Sequence, residues 1–359
     1  MTGQPQGRFL SRVENLGLTV TLAAMVLLPL AESALRATLQ TGISGVTTIV
    51  QHLTLMVGML GGAIAARENR LLALATGSIL PEGRLRSGGR WFAHAFAAAI
   101  TTCLCLASVQ FVASERSAGS LLAYGVPIWV VQLALPLGFG AVALRLLWHA
   151  SPEWKWRVLA ALVAGLVVWA GLQTLLPAEK LVTPALLALL VATLFGAPVF
   201  TTLGGAALIL FWGAGQPIAA IPLDHYRLVT NPTLPTIPLF TLAGYFLAEG
   251  GASQRLIRVF HALFGSVRGG PAIVTALVCA FFTSFTGASG VTILALGGLL
   301  MPILLAARYS EKAALGLLTS SGSLGLLFPP CLPLILYAII AKITIEEVFL
   351  GGILPGVLM

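Results

Sequence analysis

The sequence predicts an all-α protein that crosses a membrane several times. Only 9% of its 359 residues are charged and 58% are apolar, whereas about a quarter of the residues of a soluble domain are charged. The apolar residues also form uninterrupted runs of about 20, the length that a helix needs to cross roughly 30 Å of hydrocarbon. The 20 lysines and arginines lie singly or in small groups between these runs. This placement excludes a nucleic-acid-binding surface and indicates a topology signal in a lipid bilayer.

Charge-free intervals predict the first five spans. Their centres or bounding charges lie at 16–31, 46–66, 90–115, 116–145 and 157–179. The next interval, from Lys180 to Asp224, predicts one long helix that is loosened near Gly196 and Pro198 and ends in a turn at 213–215.

The basic residues predict the orientation of these spans. Before, between and after the first four spans they number two, one, five, one and three. Because cytoplasmic loops carry the excess of Lys and Arg, the N-terminus is expected in the cytoplasm. The fifth span then takes the chain to the outside at Lys180, where a second region begins.

A short amphipathic helix is predicted at 254–261. Its apolar side chains share one face and its polar ones another, a pattern that predicts a helix along the membrane interface. The apolar face contains Leu256, Ile257, Phe260, Leu263 and Phe264, and the polar face Arg255, Arg258 and His261. An ordinary connecting helix is the alternative.

A hydroxyl-rich segment at 282–292 interrupts two apolar runs. Five hydroxyls fall within ten residues, namely Thr283, Ser284, Thr286, Ser289 and Thr292. Small and hydroxylated residues also permit close helix packing, but Gly287 and Gly290 are free to leave helical geometry. The density of hydroxyls favours a site of binding at membrane depth.

A second broken segment surrounds Pro329 and Pro330. Proline has no N–H, so the carbonyls of Gly325 and Leu326 lose their helical donors. Because unsatisfied carbonyls in hydrocarbon cost several kcal/mol each, they require neighbouring groups, water or a cation. A proline kink repaired by neighbours is the alternative. Two oxygen-rich breaks without a carboxylate suit a small monovalent cation, and secondary transporters bind Na⁺ between such broken helices.

Residues 287–290 read Gly-Ala-Ser-Gly, a pattern found in rhomboid intramembrane serine proteases, which suggests an enzyme as an alternative. That mechanism needs a histidine on a later span, and no histidine follows His261. For His52 and His94, packing roles are expected. The four cysteines lie in apolar runs without metal-ligand spacing and predict free thiols. We therefore expect no enzyme.

The second region resembles the large membrane subunit of tripartite ATP-independent periplasmic (TRAP) transporters. The resemblance rests on the order and spacing of several motifs, which are IPLFTLAG at 237–244, GGPAI at 269–273, TGAS at 286–289, MP at 301–302, GLLFPP at 325–330 and GILPG at 352–356. The first four spans resemble the small membrane subunit on weaker motifs, such as GGAIAAR at 61–67. A fused protein is implied, with a small-subunit-like region at 1–157, a connecting helix at 158–180 and a large-subunit-like region at 181–359.

The resemblance implies Na⁺-coupled, elevator-type uptake of an organic anion, such as a carboxylate or sugar acid, across the bacterial inner membrane. A periplasmic substrate-binding protein is the implied partner. The implied Na⁺ site uses the hydroxyls of Thr286 and Ser289 and the carbonyls of Gly325, Phe328 and Pro330. Two positions depart from the usual pattern, since Ala288 replaces a serine and Cys331 another.

The resemblance implies a large subunit of two inverted halves, and the length of this chain accommodates the first of them. The second half is expected in a longer product or on another polypeptide. A carrier of another family with inverted repeats, or a non-transporting membrane scaffold, are the alternatives.

Overall fold

The computed structural model describes residues 5–74, 83–172, 178–287 and 289–359, which form sixteen α-helices. These are α1 (Pro5–Leu39), α2 (Val46–Arg67), α3 (Arg84–Ala118), α4 (Ile128–Gln132), α5 (Ala134–His149), α6 (Trp154–Leu172), α7 (Ala178–Leu194), α8 (Val199–Gly213), α9 (Ala220–Val229), α10 (Thr236–Glu249), α11 (Ala252–Phe264), α12 (Gly270–Thr286), α13 (Ser289–Ala306), α14 (Glu311–Leu324), α15 (Leu332–Ala341) and α16 (Ile345–Leu358). The chain divides into two compact units, Met1–Asn231 and Pro232–Met359.

The predicted all-α membrane architecture is confirmed. Within the described residues, six helical stretches are long and apolar enough to span a bilayer, and five of them coincide with the five predicted spans. The fourth span consists of α4 and α5 in succession, and the fifth is α6, while residues 173–177 of the predicted interval 157–179 lie outside the described residues. The sixth stretch, Glu311–Ala341, contains the break at the two prolines.

The prediction of one long helix from Lys180 to Asp224 is wrong. The chain reverses after α7, because Gly196 adopts a left-handed φ of 94° and Pro198, which cannot donate a helical hydrogen bond, starts α8. The two helices then run antiparallel, so that the bare backbone of Gly205 faces Leu189 and that of Gly213 faces Val182. Residues 178–213 therefore form a helical hairpin.

The tip of this hairpin is attached to the segment that follows α2. The amide of Val199 donates to the carbonyl of Leu72 at 2.8 Å, and Ala73 and Pro198 form an antiparallel bridge. On α3, a Cβ at Gly89 would collide with the ring of Phe195. Since the cations around this segment predict a cytoplasmic location, the tip of the hairpin is expected on the cytoplasmic side.

Helix α3 is the central helix of the first unit. Its small side chains allow α5, α6, α7 and α8 to approach closely, as is common where helices pack in membranes. The alanine-rich cluster around it consists of Ala63, Ala66, Ala93, Ala97, Ala98, Val142, Leu146, Ala192 and Ala197. By contrast, α1 leaves most of its apolar side chains exposed, as expected for a helix that faces lipid.

An ion network joins three helices of the first unit. Glu14 of α1 accepts hydrogen bonds from Arg67 of α2, at 2.7 Å, and from Arg145 of α5. Arg67 also donates to the side-chain oxygen of Asn15 at 2.9 Å. The three charged side chains are only 15–22% exposed. The Glu14 carboxylate thus bridges two largely buried guanidinium groups, of which Arg67 also pairs with the more exposed Glu68 at 3.1 Å.

The second unit contains α10–α16 and has its own core. This core joins one side of α11 to α12, α13 and α14, and its buried members are Ile257, Val274, Val278, Cys279, Phe282, Leu296, Leu300, Leu304, Ala314 and Leu318. The predicted amphipathic helix is α11. Four of its five predicted inward residues pack against this core, but Leu263 is 62% exposed. The predicted domain boundaries at 157 and 180 both fall inside the first unit and stay predictions.

Candidate functional site

The first predicted break is a reversal between α12 and α13. Helix α12 ends at Thr286, Gly287 adopts a left-handed φ of 67°, and α13 starts at Ser289. Residue 288, one of the two departures from the family pattern, lies outside the described residues. Gly290, in contrast to its predicted freedom, belongs to α13. A glycine is needed at 287 because an L side chain rarely adopts this conformation, and because a Cβ there would lie 2.7 Å from Leu332 Cδ1.

Three threonine hydroxyls form a buried chain beside this reversal. Thr283 Oγ1 lies 2.9 Å from both Thr292 Oγ1 and the carbonyl oxygen of Gly322, and Thr286 Oγ1 lies 3.1 Å from Thr292 Oγ1. A carbonyl only accepts and a hydroxyl has one proton, so a Thr283 that donates to Gly322 accepts from Thr292. The chain of hydroxyls links α12, α13 and α14.

The two serines of the segment lie outside this chain of threonines. Ser284 Oγ donates to the carbonyl of Phe281 at 2.8 Å, within its own helix. Ser289 is partly exposed and opens α13. Its carbonyl oxygen faces α14, where it lies 3.4 Å from the position that a Cβ would take on Gly322.

The second predicted break follows α14. A short 3-10 turn at Gly325–Leu327 leads to a cis peptide bond between Pro329 and Pro330, and α15 then begins at Leu332. The two carbonyls that the prolines leave without helical donors find local partners. Gly325 O accepts from the amide of Phe328 at 3.3 Å, and Leu326 O accepts from the thiol of Cys331 at 2.7 Å.

These partners differ in what they leave available. The bond to Gly325 O is long, and a carbonyl oxygen has two lone pairs, so this oxygen retains acceptor capacity. The thiol of Cys331 occupies Leu326 O, which explains how the second departure from the family pattern serves the structure. For Leu326, a neighbouring side chain thus replaces the lost helical donor, as the alternative of a proline kink repaired by neighbours predicts.

The two breaks pack against each other. Gly325 lies against α12, and a Cβ on it would lie 2.6 Å from Thr283 Cβ and 2.7 Å from the amide nitrogen of Ser284. Gly287 lies against Leu332, the first residue of α15. The five residues of the predicted cation site therefore lie on two adjoining turns, Thr286 and Ser289 on the first and Gly325, Phe328 and Pro330 on the second.

Phe328 has a further structural role at the second turn. Its carbonyl accepts from the amide of Cys331 at 3.0 Å, and its ring lies against Gly356 of α16, where a Cβ would be 2.9 Å from Phe328 Cζ. No group of three or more His, Cys, Asp or Glu side chains comes together anywhere in the described residues. Hydroxyl and carbonyl oxygens are thus the donors that these turns offer. Coordination of an ion by the five residues stays a prediction.

Thr283 is the residue whose role the sequence did not reveal. The sequence shows Thr283 as one of five hydroxyls, but the carbonyl that its hydroxyl contacts belongs to Gly322, which lies 39 positions further along the chain. The density of hydroxyls identifies the segment as a candidate site. No local sequence pattern identifies Gly322 on α14 as the hydrogen-bond partner of Thr283.

Thr283→Val is expected to destabilise the protein by about 1–3 kcal/mol, because it preserves volume but leaves the buried Gly322 carbonyl without its hydroxyl donor. The matched control is Thr275→Val on the same helix, whose hydroxyl donates to the carbonyl of Pro271 one turn earlier. Unfolding of the purified variants in detergent would measure both. Equal stability of the two variants would contradict the proposed linkage of three helices.

His52 and His94, for which packing roles were predicted, both form hydrogen bonds within the structure. His52 is satisfied as predicted, since its Nδ1 lies 2.7 Å from the carbonyl of Thr48 and its Nε2 lies 2.7 Å from the Tyr226 hydroxyl. His94 Nδ1 lies 2.9 Å from the carbonyl of Arg90. Because a carbonyl only accepts, the Nδ1 of each ring carries a proton.

Two family models match the chain. Residues 186–359 match the model described as "Tripartite ATP-independent periplasmic transporter, DctM component", and residues 25–155 match the DctQ component of the same transporters.

Curated relatives match across one or both of these regions. The isethionate TRAP transporter permease protein DctMQ of Oleidesulfovibrio alaskensis is 30% identical over 237 residues, which are 65% of this chain and 37% of the relative. The C4-dicarboxylate TRAP transporter large permease protein DctM of Vibrio cholerae is 33% identical over 45% of this chain and 36% of its own length. The ectoine TRAP transporter large permease protein TeaC of Halomonas elongata is 33% identical over 46% of this chain and 40% of its own. The matches thus span about two fifths of the relatives' length.

Proposed function

Because the chain belongs to the TRAP transporter family and fuses small-subunit and large-subunit regions in one polypeptide, we propose that it takes part in Na⁺-coupled uptake of an organic anion. It is a multi-pass membrane component of such a transporter and not an enzyme. In this proposal it lies in the bacterial inner membrane, receives its substrate from a periplasmic binding protein, and works with the remainder of the large subunit.

The packing of the two breaks is the observation that carries the Na⁺ proposal. Thr286 and Ser289 flank one turn, and the carbonyl of Gly325 on the other turn keeps a lone pair. Oxygen donors beside broken helices are the coordination that secondary transporters use for Na⁺. A carboxylate-free set of oxygens suits a monovalent ion, because a divalent ion is usually bound with carboxylates.

The substrate class rests on the relatives and on the chemistry of their named substrates. Isethionate and C4-dicarboxylates are organic anions, and a third relative is named for ectoine. We therefore propose that the substrate is an organic anion. A carboxylate or sugar acid is the substrate that the sequence resemblance implies.

An elevator mechanism is the motion that we propose for this transporter. It requires a scaffold and a part that moves as one body. The chain supports such an assignment in that each of its two units has a hydrophobic core of its own. The second unit, which contains both breaks, is proposed to move, and the first unit to belong to the scaffold.

The proposed Na⁺ site predicts a thermal stabilisation by NaCl that KCl does not reproduce, since a ligand that binds only the folded state raises its stability by RT ln(1 + [L]/Kd). Replacing Ser289 by Ala together with Pro330 by Ala is expected to weaken Na⁺ binding at least tenfold, or about 1.4 kcal/mol. Scanning fluorimetry of the purified chain over a Na⁺ titration would measure the shift.

Ser320→Ala is the matched control for this titration. Ser320 is an exposed serine of α14 that bonds to the carbonyl of Gly316 in its own helix, so its removal should leave the Na⁺ response unchanged. If the double variant kept the full Na⁺ response, the five residues would not form the site. If the unaltered protein showed no difference between Na⁺ and K⁺, a non-transporting scaffold would be favoured.

A further inference from the structure

Helix α11 has three different faces. Its buried face packs on the core of the second unit through Ile257, which is 7% exposed. At about 100° per residue, Arg258 lies about 100° from Ile257 on one side of the helix and Leu263 about 120° from it on the other. The helix therefore has one polar and one apolar flank beside its buried face.

The apolar flank is exposed. Val259 and Leu263 lie one turn apart and are 53% and 62% exposed, and Val267, just after the helix, is 49% exposed. The opposite flank carries Arg258 and His261, and Arg255 points away from the core. A helix that rests on a protein core and lies in the plane of a membrane surface needs such flanks, one for hydrocarbon and one for the headgroups.

Further cations lie at the same end of the second unit. Leu304, Tyr309 and Ala314, around the turn between α13 and α14, belong to the same core cluster as Ile257. This turn carries Arg308, Lys312 lies in the first turn of α14, and Arg268 lies between α11 and α12. Within the described part of the chain, none of these cations, nor Arg255 or Arg258, has an ion-pair partner. All five are exposed.

The charges also indicate which membrane surface this is. The α11 end of the second unit carries five lysines and arginines with Glu311 as an exposed carboxylate, whereas the end after α15 carries Lys342 with Glu346 and Glu347. Because cytoplasmic connections carry the basic excess, the α11 end is predicted to be cytoplasmic.

We propose that α11 and the neighbouring turn between α13 and α14 bind the headgroups of anionic phospholipids of the cytoplasmic leaflet. Arg255 and Arg258 contact the phosphates, Arg268, Arg308 and Lys312 extend the positive surface, and Val259 and Leu263 enter the acyl region beneath. Arginine suits this role because its planar guanidinium binds phosphate oxygens in pairs. The proposal rests on the membrane location of the chain and not on Na⁺ coupling or transport.

Lipid titration of the purified protein in a neutral detergent, read by native mass spectrometry, tests this proposal. Phosphatidylglycerol is expected to bind more tightly than phosphatidylcholine, and the preference should decrease as ammonium acetate increases, because the exposed charges are screened by salt. Each arginine is expected to account for about fivefold in affinity, as a cation at an anionic membrane surface contributes about 1 kcal/mol, so Arg255→Gln with Arg258→Gln should lose roughly 25-fold.

Two further variants separate charge from folding. Arg255→Lys with Arg258→Lys should retain most of the preference for phosphatidylglycerol, and Arg227→Gln, which removes an exposed arginine of α9, should retain all of it. The proposal would be overturned if the double glutamine variant bound phosphatidylglycerol as tightly as the unaltered protein. Equal affinity of the unaltered protein for both lipids would overturn it as well. Melting temperatures of all variants in phosphatidylcholine nanodiscs would confirm that they fold alike.

Discussion

Gly325→Ala is expected to destabilise the second unit by about 3 kcal/mol, because the added methyl group has no room to enter. It would collide with the carbonyl oxygen of Ala280 and lie 2.7 Å from the amide nitrogen of Ser284. Both are backbone atoms of α12, so relief requires the helix itself to move. The same movement would separate the two turns, and the Na⁺ stabilisation proposed above should disappear with it.

Gly316→Ala is the matched control, since a Cβ at this glycine of α14, the helix that precedes the turn of Gly325, meets nothing within 4 Å. It should be neutral or slightly stabilising, as expected when a helical glycine becomes alanine. Unfolding in detergent and the Na⁺ titration would be measured for both variants. An unchanged melting temperature for Gly325→Ala would show that the two breaks are not in the contact described.

Glu14→Gln is expected to destabilise the first unit by about 3–5 kcal/mol, the range for removing one partner of a buried ion pair. The glutamine keeps the shape of the side chain but leaves Arg67 and Arg145 close together without their shared carboxylate. These arginines are 22% and 16% exposed, so water compensates little of their charge.

Glu32→Gln on the same helix is the control. Glu32 pairs with Arg36 one turn away at 2.6 Å, but the arginine is 66% exposed, and such surface pairs contribute about 0–1 kcal/mol. Denaturant unfolding of the two variants should therefore differ by at least 2 kcal/mol. Similar losses for both would mean that the network of Glu14 is no stronger than a surface pair.

The spans were predictable because the signal that defines them is local. The 22 residues of α2 are bounded by a glycine turn and by Arg67, and both features are legible in the sequence. The helical hairpin was not predictable in the same way. The sequence around Gly196 and Pro198 indicated a weak point, but a kink and a full reversal share that local pattern. The reversal is defined by Leu72 and Gly89, which lie more than a hundred positions away.

The candidate site shows the same division. Both breaks were predicted from hydroxyls, glycines and prolines, and the structure places breaks at Gly287 and at the two prolines. The partners were not predictable, because they come from other helices or depend on the geometry of the turn. The bond from Thr283 to Gly322 joins two different helices, and the bond from Cys331 to Leu326 depends on the geometry of the turn.

The helical hairpin has a consequence for how this polypeptide can be divided. The family models place a subunit junction between 155 and 186, yet α7–α9 share their core with the helices before that junction, and the first compact unit extends to Asn231. If the chain were divided between Asn231 and Pro232 and the two fragments were expressed separately, each fragment would keep a complete hydrophobic core. A cut at residue 180 would instead separate α7–α9 from the helices of the first unit with which they share their core. The evolutionary joint of the fused gene is thus not the place where the protein divides into folding units.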